Sequence, residues 1–254
     1  MLEINKIYCM DCLEGLKLMP DNSVDLLLTD PPYFHGKSIV SSTQKDKYDQ
    51  SWDKALSQEY FDEMIRVSKN QIIFGAEHLS KFLPRSRGWI VWDKRLTAKE
   101  SNDFADCEMI YTSFDKPARM IRYLWNGFRV ELKENRYHPT QKPLPLIIRL
   151  LKENSKVGDL ILDPFMGSGT TAVAANSLKR LFTGFELSAE YVRIANKRLS
   201  QANLNDWFKG GKEMSYYSDL MIKKMNQEKE DLEDAYKQAL WEDSIECWEL
   251  EHGR

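Results

Sequence analysis

The stretch Val24-Asp25-Leu26-Leu27-Leu28-Thr29-Asp30-Pro31-Pro32-Tyr33-Phe34 passes from an apolar segment directly into an acid, two prolines and two aromatic residues. A short apolar run that ends in turn residues is typical of a buried strand. Proline fixes φ and removes a backbone donor, so two in succession predict a rigid turn. Such a turn can hold the Asp30 carboxylate and a backbone carbonyl as neighbouring acceptors beside Tyr33, which suits a flat group carrying an NH₂. A strand-ending turn without a ligand is the alternative interpretation.

A second strand end is formed by Ile161-Leu162-Asp163-Pro164-Phe165-Met166-Gly167-Ser168-Gly169-Thr170-Thr171. Closely spaced glycines between a strand and a helix let a ligand approach the backbone and the helix N-terminus. The stretch is neither GxGxxG nor a P-loop, so a ligand with less phosphate is expected. Glu186 ends the next predicted strand, 17 positions beyond Gly169. An acid at this place in such folds binds a ribose hydroxyl, whereas an ordinary exposed glutamate is the alternative.

Short apolar runs alternate with helical patterns along the first 200 residues. This alternation predicts an α/β fold with a mainly parallel sheet, whose ligands bind at the carboxyl ends of the strands. The predicted strands are 25–29, 71–74, 88–92, 159–162 and 181–185. The predicted helices are 60–67 after a Ser57 N-cap, 146–151 after Pro143 and Pro145, 170–178 and 189–199.

Length and composition limit the class of protein. A chain of 254 residues is long enough for one α/β core, and it has no apolar run of membrane-spanning length and no signal pattern at its N-terminus. We therefore expect a soluble cytoplasmic protein. Cys9, Cys12, Cys107 and Cys247 are too irregularly spaced for a disulfide framework. Cys9 and Cys12 form a lone CxxC without a second ligand pair, so two small buried thiols are expected and no metal site.

The charge is distributed unevenly. Residues 210–254 carry 12 of the 39 acidic and 6 of the 36 basic residues, which leaves the rest of the chain at +3. We interpret 210–254 as an acidic, helical extension and 1–209 as the main domain. A weakly basic body permits a nucleic-acid partner without requiring one.

Two stretches outside the alternation carry basic residues. The polar segment 34–51 predicts a long loop, either disordered or closing over a ligand. The segment 94–136 mixes basic and aromatic side chains, which favours a nucleic-acid face over the alternative of a small subdomain with a solvated basic surface. The candidate DNA-contacting residues in these stretches are Lys37, Lys45, Lys47, Arg95, Arg119, Arg122 and Arg129.

Taken together, the motifs resemble the S-adenosylmethionine-dependent DNA amino-methyltransferases in the permuted arrangement called the beta class. In that family an Asp-Pro-Pro-Tyr motif precedes a Phe-x-Gly-x-Gly motif, as Asp30 to Tyr33 precedes Phe165 to Gly169 here. His138-Pro139-Thr140-Gln141-Lys142-Pro143 resembles the family motif just upstream of the glycine loop, and Tyr8 to Cys12 resembles its adenine-binding segment. The resemblance covers about residues 7–204 and implies a Rossmann-like fold with helices on both faces, a circularly permuted motif order and a small target-recognition insertion at 94–136.

The resemblance implies that the cofactor is S-adenosyl-L-methionine and the partner is DNA, and it allows a homodimer. The implied catalytic residues are Asp30, Pro31, Pro32 and Tyr33. The implied cofactor-binding residues are Asp11, Cys12, Asp30, His138, Thr140, Lys142, Asp163, Phe165, Gly167, Ser168, Gly169, Thr170 and Glu186.

The expected reaction is methylation of the exocyclic N6 of adenine after the base is flipped out of the duplex. In the family Asp-Pro-Pro-Tyr usually accompanies adenine and Ser-Pro-Pro accompanies cytosine, so the acid favours adenine, with cytosine N4 as the alternative. A methyltransferase of RNA or of a protein amide is disfavoured by the motif order and by the acid in place of asparagine. A DNA-binding protein without activity is a further alternative, which the intact motifs disfavour.

Overall fold

The computed structural model describes residues 2–33, 56–95, 105–125, 137–138 and 140–201. The predicted C-terminal extension 210–254 and the predicted loop 34–51 lie outside these residues and stay predictions. No helix in the described ranges combines the length and the apolar character that crossing a bilayer requires.

The described chain forms eight strands and six α-helices. The strands are β1 (Lys6–Cys9), β2 (Leu26–Thr29), β3 (Gln71–Ile73), β4 (Ile90–Asp93), β5 (Cys107–Thr112), β6 (Arg119–Arg122), β7 (Leu160–Asp163) and β8 (Leu181–Glu186). The helices are α1 (Cys12–Lys17), α2 (Gln58–Val67), α3 (Ala76–Leu79), α4 (Leu144–Asn154), α5 (Thr170–Ser177) and α6 (Ala189–Ser200).

The strands build a single sheet in the order β1-β8-β7-β2-β3-β5-β4-β6. Among the described strands, β5 alone runs against the others, because it pairs antiparallel with both β3 and β4. The predicted α/β fold with a mainly parallel sheet is therefore confirmed. In the order of the sheet β2 lies beside β7, although the chain reaches β2 about 130 residues earlier. This neighbourhood places both predicted motifs at the same edge of the sheet.

The local sequence explains the central elements. Every residue of β2 is buried, as its uninterrupted apolar run predicts for a strand covered on both faces. In α2 the buried residues Phe61, Met64 and Val67 recur at three-residue intervals, which places them on the face that meets the core. Pro145 lies in the first turn of α4, where a missing backbone N–H removes no helical hydrogen bond.

All five predicted strands and all four predicted helices are present, but the pattern missed β1, β5, β6, α1 and α3. In β5 the alternation of burial is broken at Tyr111, and the buried acid Glu108 interrupts the apolar sequence. Strand β6 has one buried residue in four, Ile121, so it carries little apolar signal. The predicted recognition segment 94–136 contains β5 and β6, and both strands belong to the main sheet. Part of the segment is therefore built into the main domain. Its part in DNA recognition stays a prediction.

The predicted pair of buried thiols is half wrong. Cys12 is buried, but Cys9 is exposed at the end of the edge strand β1. Ile7 is the buried residue of β1, whereas Cys9, on the same face, is the last residue of the strand and contacts the Leu187 carbonyl at 3.7 Å.

Candidate active site

A single cavity opens at the carboxyl ends of β2 and β7. It contains fifteen of the sixteen residues predicted for catalysis and cofactor binding, and Gly169 alone is not among its lining residues. The two strand ends are joined directly, because Thr29 Oγ1 donates a hydrogen bond of 2.7 Å to Asp163 Oδ1. Asp163 Oδ1 also accepts the N–H of Phe165, which holds the start of the glycine loop against β2. Both motifs therefore face one ligand-sized space.

The Asp30 carboxylate lies at the centre of this cavity and already has two partners. Its Oδ1 accepts a hydrogen bond from the Tyr33 hydroxyl at 3.1 Å, and its Oδ2 accepts one from Lys142 Nζ at 2.7 Å. Burial raises the pKa of Asp30, and the positive charge of Lys142 opposes that rise. Each carboxylate oxygen can accept a second hydrogen bond, so the group retains acceptor capacity for a substrate.

Lys142 is held between two carboxylates. Its ammonium lies 2.7 Å from Asp30 Oδ2 and 3.2 Å from Glu108 Oε1. Glu108 Oε2 in turn lies 2.8 Å from Lys94 Nζ. Burial alone would lower the pKa of Lys142, but Asp30 and Glu108 together raise it well above its ordinary value. The lysine is therefore a permanent cation beside Asp30.

Tyr33 is positioned by residues from α3. Its ring stacks on His78 with centroids 5.0 Å apart. Gly75, at the N-cap of α3, has a φ of +62°, and a Cβ atom built there would lie 2.1 Å from the Tyr33 ring. Only glycine gives the ring this close approach to the backbone without strain.

The glycine loop is fixed from behind by α6. Gly169 has a φ of +85°, and a Cβ there would lie 2.6 Å from the Ala195 Cβ atom. The buried Arg198 donates from Nη1 to the Ser168 carbonyl at 2.7 Å and to the Ser168 and Thr170 hydroxyls. The Ser168 hydroxyl also donates to Gln141 Oε1, which connects the loop to the His138–Lys142 motif. The loop is preorganised rather than loose.

Glu186 ends β8 at the rim of the glycine loop. Its Oε2 accepts the N–H of Gly167 and its Oε1 accepts the N–H of Ser188, both at 2.8 Å. These two bonds fix the carboxylate in one orientation. A diol such as a ribose would have to use its remaining acceptor sites.

Asp11 caps α1 and faces the same cavity. Its Oδ1 accepts the N–H of Leu13 at 2.8 Å, and its Oδ2 accepts the Tyr60 hydroxyl at 3.3 Å. Cys12, the next residue, is buried, and burial together with the Asp11 charge raises the pKa of its thiol. Cys12 can therefore contribute a packing surface but not a thiolate.

His138 is a neutral imidazole in this site. Burial and the nearby Lys142 charge lower its pKa to about 4. The N–H of Thr140 donates to His138 Nδ1 at 3.3 Å, which places the ring proton on Nε2. The ring also packs against Tyr191 of α6, with centroids 4.5 Å apart.

The predicted DNA-contacting residues are only partly in the described chain. Arg95 pairs with Asp93 at 3.0 Å and with Asp106 at 3.2 Å, and Arg122 also pairs with Asp93. Arg119 is exposed on β6. The other candidates, Lys37, Lys45, Lys47 and Arg129, lie outside the described residues. A DNA contact by any of these seven side chains stays a prediction.

Several site residues were missed by reasoning from the sequence. The site is held together by four residues that were not predicted as site residues, although each lies in a stretch singled out beforehand: Lys94 and Glu108 in 94–136, Gln141 in the His138–Lys142 motif and Arg198 in the helix 189–199. Two of them carried a usable signal: Glu108 interrupts an apolar strand, and Arg198 shares the buried face of α6 with Tyr191 and Ala195. A charged residue at a core position needs partners, so such a residue indicates a buried network.

Comparison with known proteins places these features in a family. The family model described as DNA methylase matches residues 80–197. The putative methylase YubD of Escherichia coli strain K12 is 30% identical over 224 residues, which cover 78% of this chain and 95% of that protein. The crystal structure of M1.HpyAVI in complex with SAM is 25% identical with a TM-score of 0.50, and the match covers 76% of this chain and 99% of that one. The cytosine-N4-specific PvuII DNA methyltransferase shares the fold at 18% identity and a TM-score of 0.51, with 78% and 87% covered.

Proposed function

The chain belongs to the family of N6-adenine and N4-cytosine DNA methyltransferases, and from this premise we propose that it transfers a methyl group to the exocyclic N6 of adenine in DNA. One observation carries the proposal: the Asp30 carboxylate and the glycine loop line the same cavity. Methyl transfer requires that the amine and the cofactor meet. The carboxylate that binds the amine must therefore face the loop that binds the cofactor.

The proposed cofactor is S-adenosylmethionine, which supplies a methyl group on an electrophilic sulfonium when bound. The residues present fit such a ligand. The cavity offers two fixed carboxylates, Asp11 and Glu186, whose remaining lone pairs can accept an adenine amine and ribose hydroxyls. The glycine loop has no side chain at Gly167 to obstruct a ligand, and the loop lysine of a triphosphate site is absent there. M1.HpyAVI, a related protein, was crystallised with this cofactor.

The target base is proposed to enter the cavity by leaving the duplex, which costs a few kcal/mol. Stacking on Tyr33, at about 1–3 kcal/mol per base, offsets much of that cost. Asp30 and the Pro31 carbonyl then accept hydrogen bonds from the two N–H groups of the amine, which directs the nitrogen lone pair out of the ring and towards the methyl donor. The amine gains positive charge during transfer, so a nearby anionic acceptor stabilises the transition state more than the ground state. The methylated nitrogen is then acidic and gives its extra proton to the Asp30 carboxylate or to water, so no separate strong base is needed.

The choice of adenine over cytosine rests on the acid at position 30. The resemblance associates an acid at this place with adenine and a serine with cytosine. The fold alone does not discriminate between the amines, since the PvuII enzyme with the same fold is specific for cytosine N4. Cytosine N4 is therefore the second candidate.

The test is to incubate the purified protein with unmethylated genomic DNA and labelled cofactor and to analyse the nucleosides by mass spectrometry. We expect N6-methyladenine. N4-methylcytosine would correct the base, and the absence of both methylated nucleosides would overturn the proposal. Sequencing the methylated sites in the same DNA identifies the target site.

The role of Asp30 is tested by Asp30→Ala, which should reduce methyl transfer by at least about a hundredfold while cofactor binding persists. Asp62→Ala is the matched control, because Asp62 is an exposed acid of α2 that accepts one bond from Gln58. An active Asp30→Ala variant would exclude the proposed mechanism.

A further inference from the structure

Four charged side chains of alternating sign lie in a row beneath the base site. The order is Asp30, Lys142, Glu108 and Lys94, and the successive N···O distances are 2.7, 3.2 and 2.8 Å. Asp30 belongs to the end of β2 and Lys142 to the motif before α4, while Glu108 lies on β5 and Lys94 directly after β4. The row therefore connects the Asp-Pro-Pro-Tyr turn to the segment 94–136.

The row is buried and sterically confined. The side chains of Lys142 and Glu108 are only 11% and 7% exposed. Water therefore cannot solvate either charge fully, and each charge needs an ionic partner. Lys142 Nζ lies 5.2 Å from the centre of the Phe74 ring, and Lys94 Nζ lies 4.9 Å from that of Trp92. These rings therefore confine the space around both ammonium groups.

The position of Lys142 has a consequence for the reaction. Its ammonium occupies Oδ2 of Asp30, one of the two oxygens that the amine of a target base would use. The other oxygen, Oδ1, already accepts the Tyr33 hydroxyl. A base that enters must share or replace a charge-assisted bond, which is among the stronger hydrogen bonds in proteins.

We propose that Glu108 is a positioning residue for methyl transfer, which takes over the Lys142 ammonium when the amino group of the target base binds Asp30. This inference rests on the proposed function. Glu108 offers Lys142 a second carboxylate at 3.2 Å, so the lysine keeps an ionic partner while it yields Asp30 Oδ2. Lys94 compensates the charge of Glu108 and keeps that carboxylate in place.

Glu108→Gln is the decisive variant. Glutamine keeps the size of the side chain, but it has no negative charge and so binds the Lys142 ammonium more weakly than glutamate does. Lys142 then stays on Asp30, and the base enters its productive position less often. Since this step follows DNA binding, we expect kcat to fall at least about tenfold, while the KM for DNA and the Kd for S-adenosylmethionine change less than about twofold. Glu108→Asp should recover part of the lost kcat, which a general loss of structure would not allow.

A double-mutant cycle tests whether Glu108 acts through Lys142. In a Lys142→Met background the Glu108→Gln change should cost less than about twofold, because the partner that it serves is gone. If methyl transfer by Lys142→Met is too slow to measure, the same cycle is read from the fluorescence of 2-aminopurine placed beside the target adenine, so that the target base keeps its amino group. An equal loss in both backgrounds, or a Glu108→Gln variant with the kcat of the wild type, would overturn the inference.

Glu63→Gln is the matched control. Glu63 of α2 is also partly buried, at 19% exposed, and pairs with Arg66 at 2.8 Å, far along the chain from the site motifs. This variant should retain the kcat of the wild type. If wild type and Glu63→Gln both fail to methylate DNA, the proposed function itself is overturned and this inference falls with it. If both methylate DNA and Glu108→Gln does so equally well, the inference alone is overturned.

Discussion

Thr29 Oγ1 donates a 2.7 Å hydrogen bond to Asp163 Oδ1, and this contact joins the last residue of β2 to the last residue of β7. The two residues are 134 positions apart in the chain. Thr29 precedes the Asp-Pro-Pro-Tyr turn, and Asp163 precedes the glycine loop. One buried hydrogen bond therefore fixes the distance between the proposed base site and the proposed cofactor site.

Removal of this bond should destabilise the protein. Thr29→Val keeps the shape of the side chain but removes one hydroxyl donor from Asp163, which also has a side-chain hydrogen bond with Thr171, so we expect a loss of about 1–3 kcal/mol in the free energy of unfolding. Urea denaturation measures the loss. Thr183→Val on β8 is the matched control, because Thr183 is equally buried but its hydroxyl makes only a 3.5 Å contact with the Lys6 carbonyl. Equal losses in both variants would contradict the role of the Thr29 bond.

Gly75→Ala should displace the Tyr33 ring. A Cβ atom at position 75 would lie 2.1 Å from the ring, so the base platform must move, and kcat should fall by at least about tenfold if stacking contributes as it does elsewhere. The positive φ adds about 1–2 kcal/mol of strain. Gly158→Ala separates the two effects, because Gly158 has a φ of +87° and no atom within 4 Å of its added Cβ. We expect Gly158→Ala to be destabilised yet fully active. Full activity of a folded Gly75→Ala variant would exclude this role of Tyr33 packing.

Arg198→Met should weaken cofactor binding. Arg198 fixes Ser168 and Thr170 through three hydrogen bonds from Nη1, so its loss lets the glycine loop move before it binds a ligand. We expect the Kd for S-adenosylmethionine, measured by titration calorimetry, to rise about tenfold, which corresponds to about 1.4 kcal/mol. Arg193→Met, at an exposed position of the same helix, should leave the Kd unchanged. Circular dichroism confirms that both variants are folded, and an unaltered Kd in a folded Arg198→Met variant would refute the prediction.

His138 should make stability depend on pH. Its pKa is lowered to about 4 in the fold, below the ordinary 6.5, so the folded state holds the neutral imidazole. A lowered pKa contributes stability that is present above pH 6.5 and is lost as the pH falls towards 4. Relative to His138→Gln, the wild type should therefore lose about 2–3 kcal/mol over this interval. Urea denaturation of both proteins at pH 7 and pH 4.5 measures the difference. A difference that is constant over this interval would show that His138 is not held neutral.

Much of the fold followed from local patterns. Strands β2, β7 and β8 are short apolar runs that end in turn or acidic residues, and their length and bounding residues predict strands. Strands β1 and β6 escaped prediction, because an edge strand buries few of its side chains and so carries a weak apolar signal. The antiparallel β5 also escaped it, since the buried acid Glu108 breaks the apolar pattern.

The motifs that meet in the cavity could be recognised in the sequence. Each is a short run, and its residue types indicate what kind of group it can bind. Prolines after an acid give a rigid acceptor, and glycines after a strand give room for a ligand. The chain by itself therefore determined the α/β class, the order of the motifs and fifteen of the residues that line the cavity.

Only the tertiary structure decided how those residues are held. Three sets of contacts each join residues from separate elements: the Thr29–Asp163 bond, the Arg198 contacts and the row from Asp30 to Lys94. No local pattern encodes such pairs, because a buried charge or hydroxyl selects its partner by proximity after the sheet and helices have packed. The sheet brings these groups together, and their mutual distances follow from its strand order rather than from any stretch of sequence.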